Sequence, residues 1–190
     1  SSAPWSIESG SDFIWQQCAF ERFIGSPTVL RRTAAQKAAG YYRAELPFSD
    51  DMELWLRLAL QGDVAVTDAA LAVRRRHGGQ ITEGYRSSPS HMFSELFRAY
   101  ESFFQKEGRD LDDARRMLAL CRSKVGRSAL YNGLSQMRDG DSTEGVRLLR
   151  LATKLSPSFA LPRIAKHLLT MDAPMQQLRA LLLPPEVPAR

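Results

Sequence analysis

From about residue 90 onward, apolar residues recur only at three- and four-residue spacing, and this leaves no room for a sheet in the second half of the chain. The spacing predicts helices over residues 92–105, 112–137 and 143–155, with Gly140-Asp141 as the turn between the last two. Pro157 and Pro162 punctuate the next connection, and residues 163–171 and 174–183 read as two further short helices. The tail, residues 184–190, is rich in proline and is expected to be mobile.

The first half is patterned differently. Phe13, Ile14, Gln17, Cys18, Phe20, Glu21 and Ile24 form an imperfect helical stripe over residues 11–24, ended by Gly25-Ser26-Pro27. Thr28-Val29-Leu30 reads as a short strand. Thr33 caps a helix through residues 34–39, and Gly40 suits its C-terminal stop. After a loop at 41–48, Ser49 or Asp50 caps a strongly patterned helix over residues 51–60, in which Glu53 and Arg57 stand at i, i+4. Residues 64–66 and 71–73 read as two more strands, and Gly78-Gly79 as a turn. The expected fold is therefore an α/β part with few strands over residues 1–85, then an all-α domain over 90–183, helix-dominated overall. The boundary falls near residues 82–90. A chain of 190 residues can bury one ordinary core or two small ones.

The formal net charge is +5, so nucleic acid has to be considered. The basic residues are scattered, however: Arg74-Arg75-Arg76 beside His77 is the densest cluster, and Arg31-Arg32 a smaller one. No long basic run is interleaved with aromatics, which argues against a single-strand stacking platform. An anionic small ligand or an anionic membrane surface fits the charge at least as well. The two cysteines, Cys18 and Cys121, form no CxxC pair, and two free thiols in a reducing cytoplasm is the favoured reading. The first residues do not form a signal peptide, and no apolar run is long enough to span a bilayer. Because it opens without Met, the chain is expected to begin inside a longer protein.

The most informative stretch is Ser49-Asp50-Asp51-Met52-Glu53-Leu54-Trp55-Leu56-Arg57. Two adjacent carboxylates open a helix whose dipole stabilises their charge and whose apolar face anchors it in a core. A carboxylate fixed on a rigid element at a loop mouth is what a general base needs. The bland alternative is a helix cap. Asp51 is the candidate base, and Asp50 would tune it or bind an acceptor. His77 offers an imidazole for a metal or a diphosphate oxygen, against the alternative of an unliganded loop histidine. Arg75 and Arg76 could pair with a diphosphate, against the alternative of a solvated basic turn. Asp110-Leu111-Asp112 reads as a capping loop.

These residues resemble the landmarks of glycosyltransferase family 2. Asp50-Asp51 followed by Leu54-Trp55-Leu56-Arg57 is similar to that family's acidic motif, with Asp50 where Glu is usual. Gly25-Ser26-Pro27-Thr28-Val29-Leu30-Arg31-Arg32 and Gly40-Tyr41-Tyr42 look like its preceding segments, and Arg75-Arg76-His77 like its closing Arg-x-His region. The resemblance covers about residues 11–82. It implies part of a GT-A fold and an inverting transfer in which Asp51 takes the acceptor proton, with a nucleotide-sugar donor, a saccharide or lipid-linked acceptor and a divalent ion, Mg or Mn, near His77. It also implies a nucleotide-binding half with an Asp-x-Asp motif, which this chain does not contain, so the chain alone is expected to be inactive. The expected location is cytoplasmic, with peripheral contact at the inner membrane face as a further option. Downstream, Leu130, Leu134, Gly140-Asp141, Gly145, Leu148-Leu149, Ala152 and Pro157 resemble one tetratricopeptide-like repeat. A partner protein or a membrane surface would meet this part, and a non-catalytic interaction module is the alternative function.

Overall fold

The structure, a computed structural model, describes residues 4–20, 24–73, 75 and 77–169. Arg76 of the basic cluster, the helix expected at 174–183 and the tail at 184–190 lie outside the described residues. The elements run β1 (Trp5–Glu8), α1 (Gly10–Ala19), a 3-10 turn (Ser26–Thr28), α2 (Thr33–Ala39), α3 (Asp50–Ala59), β2 (Val64–Thr67), α4 (Ile81–Arg86), α5 (Pro89–Gln105), α6 (Ala114–Arg138), α7 (Ser142–Leu155) and α8 (Pro157–Leu169). Helix dominates. The described strands are β1 and β2, paired antiparallel from Trp5 opposite Thr67 to Glu8 opposite Val64. No helix among the described residues is long and apolar enough to cross a membrane.

The chain forms two compact units. One holds the described residues up to 87 together with 95–121, and the other holds 88–94 with the described residues from 122 onward. One break between the units, after residue 87, falls within the 82–90 stretch expected from the sequence, but most of α5 and the start of α6 pack with the first part. Phe97, Phe103 and Phe104 of α5 are buried, and the buried Tyr100 hydroxyl donates to the Gln17 carbonyl of α1 at 3.2 Å. Each such aromatic contributes about 1.5–3 kcal/mol by leaving water. A helical stripe marks a buried face without saying which neighbour it packs against.

In the first unit, Ser9 caps α1 reciprocally: its hydroxyl accepts the Asp12 N–H at 3.0 Å and donates to the Asp12 carboxylate at 2.7 Å. The helix stops at Ala19, earlier than the stripe predicts: Phe20 is extended and 66% exposed, and its N–H donates to the Gln16 carbonyl as the C-cap. Ile14 and Cys18 on α1 and Leu54 and Leu56 on α3 are fully buried. Two expected strands are absent. Residues 28–30 instead follow a 3-10 turn in which both the N–H and the hydroxyl of Thr28 donate to the Gly25 carbonyl, which leaves Leu30 wholly exposed. Residues 71–73 join no ladder, and Leu71 and Val73 are exposed. Three apolar residues suffice for a strand pattern but not for a strand, which needs a partner edge. The partner of β2 is β1, at a segment the apolar pattern did not mark.

In the second unit, the Asp141 side chain accepts the Glu144 N–H at 3.1 Å and caps α7, after a turn at Gly140. Gly133 and Gly145 permit close packing: a Cβ would lie 2.9 Å from Leu149 at the first and 2.7 Å from Met137 at the second. Val125, Leu130, Leu148, Leu149, Ala152 and Ala160 fill the core. Pro157 stands at the expected break: α7 ends at Leu155 and Pro157 opens α8, where its missing N–H costs nothing. Pro162, expected in the same connection, lies inside α8 instead. Neither cysteine is in a disulfide, and both are buried.

Candidate active site

Helix α3 carries the candidate chemistry. Leu54, Trp55, Leu56 and Ala59 are buried and fix the helix in the first unit, so its N-terminus is a rigid mount. Asp50 and Asp51 are half-buried there. Asp50 Oδ1 accepts the Asp51 N–H at 2.8 Å, and Asp51 Oδ1 accepts the Met52 N–H at 2.7 Å. Both carboxylates thus serve the otherwise unpaired N–H groups of the first turn. Ser49 precedes them without a side-chain cap. The second oxygen of Asp51, Oδ2, receives the Ser26 hydroxyl. Partial burial pushes the Asp50 carboxyl up. The Asp51 N–H opposes that shift, and the neighbouring Asp51 charge adds to it.

One turn further, the same helix holds charges of a different kind. Glu53 is fully buried and receives Arg57 at 2.8 Å and, from the loop, Arg43. Arg43 also donates to the Ser102 hydroxyl at 2.9 Å and pairs with Glu107. Burial pushes the Glu107 carboxyl up, but the Arg43 hydrogen bond and the positive charges of Arg43 and Arg57 overcome it and hold the carboxyl below its usual range. Arg57 donates to the Ala39 and Tyr41 carbonyls, the latter at 2.8 Å, and so binds the Gly40-Tyr41 turn to α3.

The structure therefore brings together three of the stretches singled out in the sequence. Ser26 joins the Gly25-Ser26-Pro27 segment to Asp51, and Arg57 joins the Gly40 turn to α3. It does not bring the basic cluster to them. His77 and Arg75 are exposed, and among the described residues no hydrogen bond or ion pair links either to Asp50 or Asp51. Among the described residues, no group of three or more His, Cys, Asp and Glu could hold a metal ion. Asp110 and Asp112 lie in the turn before α6 rather than after a strand.

Sequence reasoning finds the Glu53–Arg57 pair but misses Arg43 and Glu107, which lie 10 and 54 residues from Glu53 in the chain and carry no periodic signal. No family model matches the chain, and no curated protein or solved structure matches it.

Proposed function

We propose that the first unit is the acceptor-side part of an inverting, nucleotide-sugar-dependent glycosyltransferase. The observation that carries this reading is the environment of Asp51: a half-buried carboxylate on a rigid helix start, with one oxygen held by a backbone N–H and the other receiving a hydroxyl. A carboxylate oriented on one oxygen and open to a hydroxyl on the other is suited to general-base work.

In this reading a sugar acceptor hydroxyl takes the place of the Ser26 hydroxyl at Asp51 Oδ2. Asp51 removes its proton as the acceptor oxygen forms a bond to the anomeric carbon. The bond from that carbon to the nucleoside diphosphate breaks on the opposite face, the diphosphate leaves with the electron pair, and configuration inverts. The logic is the one that places a base opposite the leaving group in inverting glycoside hydrolysis. Asp50, pushed up by burial, binds the acceptor beside it. His77, Arg75 and Arg76 serve the diphosphate; among the described residues no hydrogen bond or ion pair joins His77 or Arg75 to the acidic pair.

The gene product as the cell makes it should release nucleoside diphosphate from a sugar nucleotide only when a saccharide or lipid-linked acceptor is supplied, and proton NMR of the product should show inverted anomeric configuration. Retained configuration would contradict the reading.

The second reading is a non-catalytic interaction module. The helix-turn-helix of the second unit favours it, with Asp141 capping α7 and small residues at Gly133 and Gly145 admitting close helix packing. A module of this kind leaves every sugar nucleotide intact in the same assay.

A further inference from the structure

Positive charge is unevenly placed in the second unit. From residue 122 to residue 169 the carboxylates are Asp139, Asp141 and Glu144, all at the turn from α6 into α7. Glu144 is buried there and accepts the Ser90 N–H. The α6 stretch before that turn, residues 122–138, and the whole of α8 hold no carboxylate. On their surface Arg127, Arg163 and Lys166 are exposed, and among the described residues none of the three is in an ion pair. Arg127 and Arg163 instead stack on the half-buried Phe159, at 5.0 and 3.7 Å from its ring centre, and the exposed Tyr131 meets the same ring edge-on. Stacking fixes the two guanidinium groups on one ring without neutralising them.

Helix α8 adds a second observation. Its core face is buried at Ala160 and Ile164. Another apolar row, Leu161, Ala165 and Leu169, runs at four-residue spacing along the solvent side, with Leu161 54% and Leu169 84% exposed. Phe159, Arg163 and Lys166 follow one another at four- and three-residue spacing and edge the solvent side with charge. An exposed apolar row edged by cations and free of carboxylates suits an anionic lipid surface. The leucines enter the acyl boundary while the basic residues stay among the headgroups. Single-stranded nucleic acid fits less well, because base stacking needs a bare ring and Phe159 already carries two guanidinium groups. We infer that α8, with Arg127 and Tyr131 of α6, is a contact surface for an anionic membrane. The inference does not rest on the proposed transferase activity, because every residue it uses lies in the second unit.

The full chain is co-sedimented with vesicles of phosphatidylcholine alone and of phosphatidylcholine mixed with phosphatidylglycerol. It should bind the mixed vesicles and not the neutral ones, and binding should fade as added salt shortens the screening length from about 10 Å to about 3 Å. Arg127→Gln combined with Arg163→Gln should weaken binding about 30-fold, from about 1 kcal/mol per basic residue at an anionic surface. Leu161→Gln combined with Leu169→Gln should weaken it about tenfold with no change in charge. Arg109→Gln, an equal loss of charge at an exposed position in the first unit, should leave it unchanged. All four altered positions in the second unit are exposed, so these variants are expected to fold, and an unchanged far-UV spectrum and melting temperature check that they do. Equal binding to neutral vesicles, binding to neither kind, or full binding by the leucine variant would overturn the inference. So would binding of a short RNA by a chain that ignores vesicles, or a dimer in sedimentation velocity that the leucine variant dissolves in such a chain. Those two results assign the surface to nucleic acid and to a second copy.

Discussion

Within its first turn, α3 treats its carboxylates in opposite ways. Glu53 is sealed from solvent and clamped by two arginines, while Asp50 and Asp51, less than a turn earlier, are half-buried and served mainly by backbone N–H groups and one hydroxyl. Removing two charges from water costs several kcal/mol per ion, and only close, well-hydrogen-bonded partners offset that cost. The Glu53 cluster meets the condition, and its charges are committed to holding the Gly40 turn, the 41–48 loop and α5 on α3. Asp51 has no arginine among its hydrogen-bond partners in the described residues and keeps contact with solvent. One helix thus separates charge that builds structure from charge left open to chemistry.

The contrast breaks most visibly at Glu53. Glu53→Gln leaves Arg57 buried against a neutral amide and removes half of the Arg43 clamp, and urea unfolding should register a loss of about 3–5 kcal/mol. A loss below 1 kcal/mol would mean that water reaches the pair. Gly40→Ala comes next. Gly40 has φ 85° and ψ −177°, a conformation essentially restricted to glycine, and a Cβ there would lie 3.3 Å from Arg57 Nη1. The same unfolding measurement should show a cost of about 1–3 kcal/mol. At the acidic pair, Ser26→Ala removes one hydroxyl from Asp51 and should cost about 1 kcal/mol.

The smallest effect is at Asp50, and its sign is diagnostic. Burial raises the Asp50 pKa in the folded state, so the folded chain binds this proton more tightly than the unfolded chain. Its contribution to stability is greatest when the group is protonated and is lost as pH rises through the ordinary carboxylate range. Glu107, held low, works the other way and loses its contribution as pH falls through that range. Asp50→Asn should therefore stabilise the protein at neutral pH by about 0.5 kcal/mol or less, the scale of a surface substitution. Destabilisation there would show that Asp50 is structural in the way Glu53 is.

Much of the helical fold is legible in the sequence because its signals are local. The stripes over α3, α5, α6 and α7, the stop at Gly40 and the cap at Asp141 each lie within one or two turns. The failures are non-local. A three-residue apolar run such as 28–30 or 71–73 has no information about a partner edge, and β1 was found only by its pairing with β2. Pro162 reads as a breaker, yet α8 carries it. In the site, Glu53 and Arg57 are visible as an i, i+4 pair, which on a helix surface is worth little. That the pair is buried follows from Arg43 and from the packing of α5, neither of which the spacing encodes. Asp50 and Asp51 open α3, at the helix start that the pattern predicts, whereas His77 and Arg75 follow them in the sequence but not in the described contacts.

The account turns on whether Asp51 takes the acceptor proton. In the gene product as the cell makes it, Asp51→Asn should abolish sugar transfer while nucleotide-sugar affinity, measured by calorimetry, stays near that of the unaltered protein. Transfer at the unaltered rate in that variant would contradict it.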